Sequence, residues 1–174
     1  MAWFRPDLTI QPAERLPSGN DIQPVDLSDL DDLVKLCQAM EQLCTKADGL
    51  GLSAVQLGIP IKLFIVRKVL HSVFTTANGR YGWFVNTEYT GNGKTVWSTE
   101  GCLSLIDPTG KHRLFTVPRH SGVRVAGQML DLTKSVQDVN LWLDVRQQGN
   151  VFQHEIDHGA GILISDIGVE VKSA

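Results

Sequence analysis

The chain has little of what assigns a protein to a class by composition alone. It holds three cysteines, an odd number with no C-x-x-C pair, which argues against a disulfide framework. It has no basic excess: 16 Lys and Arg against 19 Asp and Glu give a formal charge of −3, where a general nucleic-acid binder would be basic. No apolar run approaches the roughly 18 residues that a membrane span needs. Residues 1–21 carry Pro6, Pro12 and Pro17 with Asp7 and Glu14, and show neither the apolar core of a signal peptide nor an Arg/Ser-rich transit character. A cytoplasmic location is expected (the host cytoplasm for a viral chain), with no membrane partner and no direct nucleic-acid partner. Repeats, low-complexity tracts and interdomain linkers are absent from the sequence. What is there is globular: 43% hydrophobic and 20% charged over 174 residues, enough for one domain, 1–174, around a real core.

Residues 28–47 read as an amphipathic helix, with Leu30, Leu33, Cys37, Met40, Leu43 and Cys44 at spacings of three and four. Ser28 can cap its start, and Asp48-Gly49 ends it. Cys37 and Cys44 then fall in the core. Strands are expected at 61–69, 81–90, 95–99, 122–129 and 139–145, with a turn at Asn78-Gly79. A second helix is expected from about residue 146 through His158. The segment 105–113, with Pro108 and Gly110, reads as a loop beside the site. Helix, several strands, helix is a segregated α+β order. The expected fold is antiparallel strands packed around a central metal-binding helix, with the amphipathic helix N-terminal to them.

The chemistry gathers in His154-Glu155-Ile156-Asp157-His158. On a helix, His154 and His158 share one face, one turn apart, and can hold one divalent metal. Glu155 between them can move a proton as general base. Catalytic metals of this kind take three protein ligands and leave a position for water. Beyond His158 the position of a familiar downstream histidine is Ile164, and the only glutamate is Glu170. The third ligand therefore lies upstream, and Cys102 in Glu100-Gly101-Cys102-Leu103-Ser104 is the best candidate. Taken alone, Cys102 reads first as a small buried apolar residue. A third stretch, Gly49-Leu50-Gly51-Leu52-Ser53-Ala54-Val55-Gln56, lets a peptide-like ligand lie against bare backbone, and Gln56 offers an amide N–H to an oxyanion. Its plainer readings are a helix end at Gly49 and a solvated glutamine. Asp157 reads as orienting a ligand histidine or pairing with Arg113 or Arg119, or as a solvated carboxylate.

Taken together and in this order, G-L-G-L-S-A-V-Q, E-G-C-L-S and Q-H-E-I-D-H resemble the peptide deformylases, over residues 22–168. The one departure in the first motif is Ser53-Ala54, where the family usually has two alanines. The resemblance implies removal of the formyl group from the N-terminal formyl-methionine of newly made proteins, with release of formate. It implies that Cys102, His154 and His158 hold one divalent ion, Fe²⁺ in the cell, with Zn²⁺ or Ni²⁺ as substitutes. Glu155 would serve as base and then acid, and Gln56 with the backbone N–H of Leu103 would stabilise the oxyanion. Gly49, Leu50, Gly51 and Gly101 would bind substrate backbone, and Asn150 and Val151 would wall the methionine pocket. Asn150 stands where relatives often carry an apolar residue or an arginine. Many bacterial members continue with a long helix implicated in ribosome docking, whereas this sequence stops at Ala174. The resemblance therefore implies a short form that works near the ribosome without that docking helix. The alternative is a formyl-peptide-binding or structural-metal protein on the same fold, without catalysis.

Overall fold

The computed structural model describes residues 3–69 and 72–172, and the rest of the expected 1–174 domain lies outside them. The first helix, α1, spans Leu30–Lys46 and starts at Asp29, whose carboxylate accepts the N–H of Asp32. It buries Leu33, Leu36, Cys37, Met40 and Cys44. The strands are β1 (Gly51–Ser53), β2 (Leu63–Arg67), β3 (Tyr81–Gly91), β4 (Thr95–Ile106), β5 (His112–His120), β6 (Gly122–Leu130), β7 (Val136–Asp144) and β8 (Val169–Glu170). Two further helices follow β7: α2 (Gly149–His158) and the short α3 (Ile164–Ile167). The strands form two antiparallel sheets, one of five in the order β1-β2-β3-β6-β7 and one of three in the order β4-β5-β8.

Strand alternation divides the core. On β2, Leu63 and Ile65 face the cluster that α1 fills with Leu36 and Met40. Phe64 and Val66 face the opposite cluster, which contains Phe152 of α2. Phe152 is fixed there by edge contacts to Phe64, Phe74 and Phe84, with ring centroids 5.9, 5.8 and 4.8 Å away. α2 touches strands of both sheets, so its side chains reach the seam between them.

Three expectations need correction. The cap of α1 is Asp29 and not Ser28, whose hydroxyl donates to the Asp26 carboxylate. The second helix does not begin near residue 146: residues Val145–Gln147 form a separate 3-10 turn, and Gln148 takes a left-handed backbone at φ 68°. The Asp144 carboxylate accepts the N–H groups of Arg146 and Gln147 and holds that turn apart. α2 then opens at Gly149, where a Cβ would lie 2.6 Å from the Asp144 carbonyl oxygen. The expected loop 105–113 is also shorter. Leu105 and Ile106 belong to β4, His112 and Arg113 to β5, and only residues 107–111 connect them. Asp107 tightens that connection by accepting from the N–H groups of Thr109 and Lys111.

Candidate active site

Three elements meet at one cavity of about 340 Å³. The segment from the end of α1 through β1 supplies Gly49, Leu50 and, on β1, Gly51 to its lining, and Gln56 follows from the turn after β1. β4 supplies Gly101, Cys102 and Leu103. α2 supplies Asn150, Val151, His154 and Glu155. His158 does not line the space. It lies one helical turn below His154, buried to 1% exposure, with its ring centroid 4.9 Å from the ring of His154. Residues expected at the site but scattered over a hundred positions of sequence are thus brought together.

Cys102, His154 and His158 each bring one donor atom, all within 4.8 Å of one another and all in buried residues. Cys102 Sγ is 3.5 Å from His158 Nε2. His154 turns its Nδ1 away, to Glu100 Oε2 at 3.0 Å, which leaves its Nε2 for the cluster. A thiol and two imidazoles, buried and held by a strand and a helix, fit a divalent ion with one position left open. The electrostatics agree. Burial, then the neighbouring charges of His154 and Arg119, push the His158 pKa well below its usual value, which favours the neutral ring that a metal ligand would need. Burial works against charge on His154 too, but its hydrogen bonds to Cys102 and Glu100 outweigh it and raise its pKa to about 10. A bound cation would take the place of that proton.

Glu155 is 4% exposed, and its Oε2 has no hydrogen-bond partner among the described residues, which leaves it able to accept a proton or a hydrogen bond. Burial first, then Glu100, raise its pKa against the pull of His154 and Arg119, to about 7. A carboxyl group poised near neutrality can take and return a proton. Gly51 lies directly against it: a Cβ there would come within 2.4 Å of Glu155 Oε1.

Gln56 is oriented by its own oxygen. Oε1 accepts the N–H of Ser53 at 3.0 Å, so Nε2 faces Cys102 Sγ at 3.4 Å and Ser104 Oγ at 3.3 Å. Leu103 falls where the pairing of β4 with β5 breaks, between Gly101 and Ile106.

Behind this layer is a network that sequence reasoning found only in part. Arg119 on β5 donates through Nε and Nη2 to both oxygens of Glu100, at 2.9 and 2.8 Å, and through Nη1 to Asp157. Tyr89 Oη donates to the other Asp157 oxygen at 3.1 Å. Of the two arginines considered for Asp157, Arg119 is the partner, and Arg113 instead forms a two-pronged pair with Glu170. The role of Glu100, between Arg119 and His154, was missed. Its signal was a carboxylate two positions before the candidate thiolate. Burial alone would raise the Glu100 pKa, but hydrogen bonds from Arg119 and His154 hold it down at about 2. Gln153, the leading residue of the third motif, clamps the His120 backbone at both N–H and carbonyl, at 2.9 and 3.0 Å.

Known proteins resemble this chain in sequence and in fold. The profile of the family described as polypeptide deformylase matches residues 13–173. A peptide deformylase of Wolbachia sp. subsp. Drosophila simulans (strain wRi) is 31% identical over 163 residues, covering 90% of this chain and 83% of its own length. The structure of a probable peptide deformylase from Synechococcus phage S-SSM7 superposes with a TM-score of 0.71 at 28% identity, over 92% of this chain and 99% of that one. A peptide deformylase from Synechococcus elongatus, solved in complex with actinonin, gives 0.72 at 26% identity, over 94% and 80%. A profile match of this extent, with a relative this similar over most of both lengths, makes the chain a member of the polypeptide deformylase family.

Proposed function

We propose that this chain is the hydrolase that removes the formyl group from the N-terminal formyl-methionine of new proteins, with one divalent ion held by Cys102, His154 and His158. The observation that carries the reading is the cluster of those three donors within 4.8 Å, at the edge of a cavity that Cys102, His154 and Glu155 line. The bound ion would supply a Lewis acid and bring the pKa of a water toward 7. Fe²⁺ is our choice for the ion in the cell, with Zn²⁺ and Ni²⁺ as substitutes, because a mixed sulfur and imidazole set suits all three.

The remaining steps belong to the chain's own residues. Glu155 takes a proton from the attacking water and gives it to the departing amine. Gln56 Nε2, fixed by the Ser53 N–H, donates to the oxygen on which charge develops, and the Leu103 backbone N–H joins it, which the broken β4–β5 pairing there supports. Gly49, Leu50, Gly51 and Gly101 let the substrate backbone lie close, and Asn150 and Val151 wall the first side chain. Residues 1–174 act as one catalytic domain. No helix among the described residues is long and apolar enough to cross a membrane. We place the enzyme in the cytoplasm, near the ribosome, because formylated chains are made there.

Release of formate from formyl-Met-Ala-Ser by protein prepared without oxygen, with metal content read on the same sample, tests this. Metal-dependent release is the expected result. A folded protein carrying one ion per chain and releasing nothing would favour the structural-metal or peptide-binding alternative.

A further inference from the structure

The wall that α2 gives to the cavity changes character within one step, from Asn150 to Val151. Leu50, Leu103 and Leu114 give the same space an apolar wall, with Thr99 and His112 among its polar lining. The Asn150 amide does not stand loose. Asn150 Nδ2 donates to Ser98 Oγ on β4, 3.4 Å away, a bond that ties the first turn of α2 to the strand carrying Cys102. One amide hydrogen is thereby engaged, and the amide of this lining residue has a second hydrogen to donate.

A few placed polar groups in an otherwise apolar pocket set specificity, because a ligand that cannot pair with them strips their water and returns nothing. We propose that Asn150, held by Ser98, selects the first side chain of the substrate by donating a hydrogen bond to its tip, so that the site accepts formyl-methionine oxidised to the sulfoxide as well as formyl-methionine. The inference rests on the deformylase reading. The three relevant side chains have nearly the same length and differ at one position. A sulfoxide oxygen is a strong acceptor, a thioether sulfur a weak one, and the methylene of norleucine is none. The amide offsets the lost hydration of the sulfoxide, and a purely apolar wall would not.

The test compares kcat/KM for formyl-X-Ala-Ser peptides in which X is methionine sulfoxide, methionine or norleucine. Asn150→Leu is expected to lower the sulfoxide-to-norleucine ratio by about tenfold or more, and the methionine-to-norleucine ratio by only about twofold. Asn150→Asp keeps the size but removes the donor, and is expected to lower the sulfoxide ratio as well. Ser98→Ala loosens the amide from the other side of the same bond. It should lower that ratio by about two- to fivefold, and it carries the test if leucine is not tolerated in the first turn of α2. A sulfoxide ratio unchanged in Asn150→Leu or in Ser98→Ala, or retained in full by Asn150→Asp, overturns the inference. Failure of the metal-loaded wild type on all three peptides would instead overturn the deformylase reading.

Discussion

A methyl group on Gly51 would stand 2.4 Å from Glu155 Oε1 and 2.9 Å from its carboxyl carbon. Gly51→Ala therefore displaces the proposed base without touching a proposed ligand. We expect kcat/KM to fall by about 100-fold or more, with the bound metal retained, because a shift of about 1 Å at a reacting group has that effect. Metal analysis beside the rate measurement separates this from loss of the ion. Gln56 serves twice, and two substitutions separate the roles. Gln56→Leu should lower kcat by about 10²–10³ through the lost donor. It should also destabilise the fold by roughly 1–3 kcal/mol, because the buried Ser53 N–H loses its acceptor. Gln56→Glu keeps an acceptor for Ser53, so its melting temperature should stay nearer to wild type while the rate still falls. Equal losses of stability in both variants would contradict the orientation seen here. Which residues meet at the cavity and the donor cluster was legible in three short motifs. Which end of an amide faces the cavity was not, because the Ser53 N–H sets it through a loop conformation that composition does not encode. Glu100 was missed for a similar reason. Its partner Arg119 lies on the next strand, and pairing across strands is invisible until their register is known.

At the scale of elements, Arg119 ties β4, β5 and α2 into one support through Glu100 and Asp157. All three residues are buried. Arg119→Gln leaves two carboxylates there without their cation, which should cost about 3–5 kcal/mol at neutral pH. The pH dependence has a definite sign. The Glu100 pKa is about 2 in the folded chain, below its ordinary 4.5, so its stabilisation is complete above about 4.5 and is lost as pH falls toward about 2. Urea unfolding of wild type and Arg119→Gln at pH 7 and pH 3 should show the gap between them narrowing in acid. A gap that widens would rule out the pair as its source. The strands β6 and β7 were readable because Val123, Val125, Leu141 and Leu143 alternate with the outward Arg124, Asn140 and Trp142. β5 was not, since Pro118 and the turn-rich 107–111 segment mask a strand whose inward residues are Phe115, Val117 and Arg119. The start of α2 was misplaced because helical periodicity runs through Gln148, where the backbone itself turns left-handed.

For the whole molecule, the proposed ion is a cross-brace between two sheets, through Cys102 on β4 and the histidines of α2. Its removal should act on stability as well as on rate. Dialysis against a chelator should lower the melting temperature, and Fe²⁺ or Zn²⁺ should restore it in proportion to log concentration. The thiols give a second readout. Cys37, Cys44 and Cys102 are all free and buried, but only Cys102 lines the cavity. In the metal-loaded protein none should react quickly with a disulfide reagent, and after chelation Cys102 should react first. Rapid labelling of Cys37 or Cys44 in the folded protein would mean that α1 does not stay docked.

The order in which these parts leave the ribosome has a consequence of its own. Gly51 and Gln56 emerge first, Cys102 after them, and both imidazoles only with α2. A chain synthesised as far as the end of β7 holds a thiol and an amide but no histidine of the cluster, and has no means of keeping an ion in place. With the proposed ligands, activity waits until synthesis has passed His158, and an interrupted copy is expected to be inert rather than partly active. An enzyme that works on emerging polypeptides cannot be one of its own workers while it is still emerging.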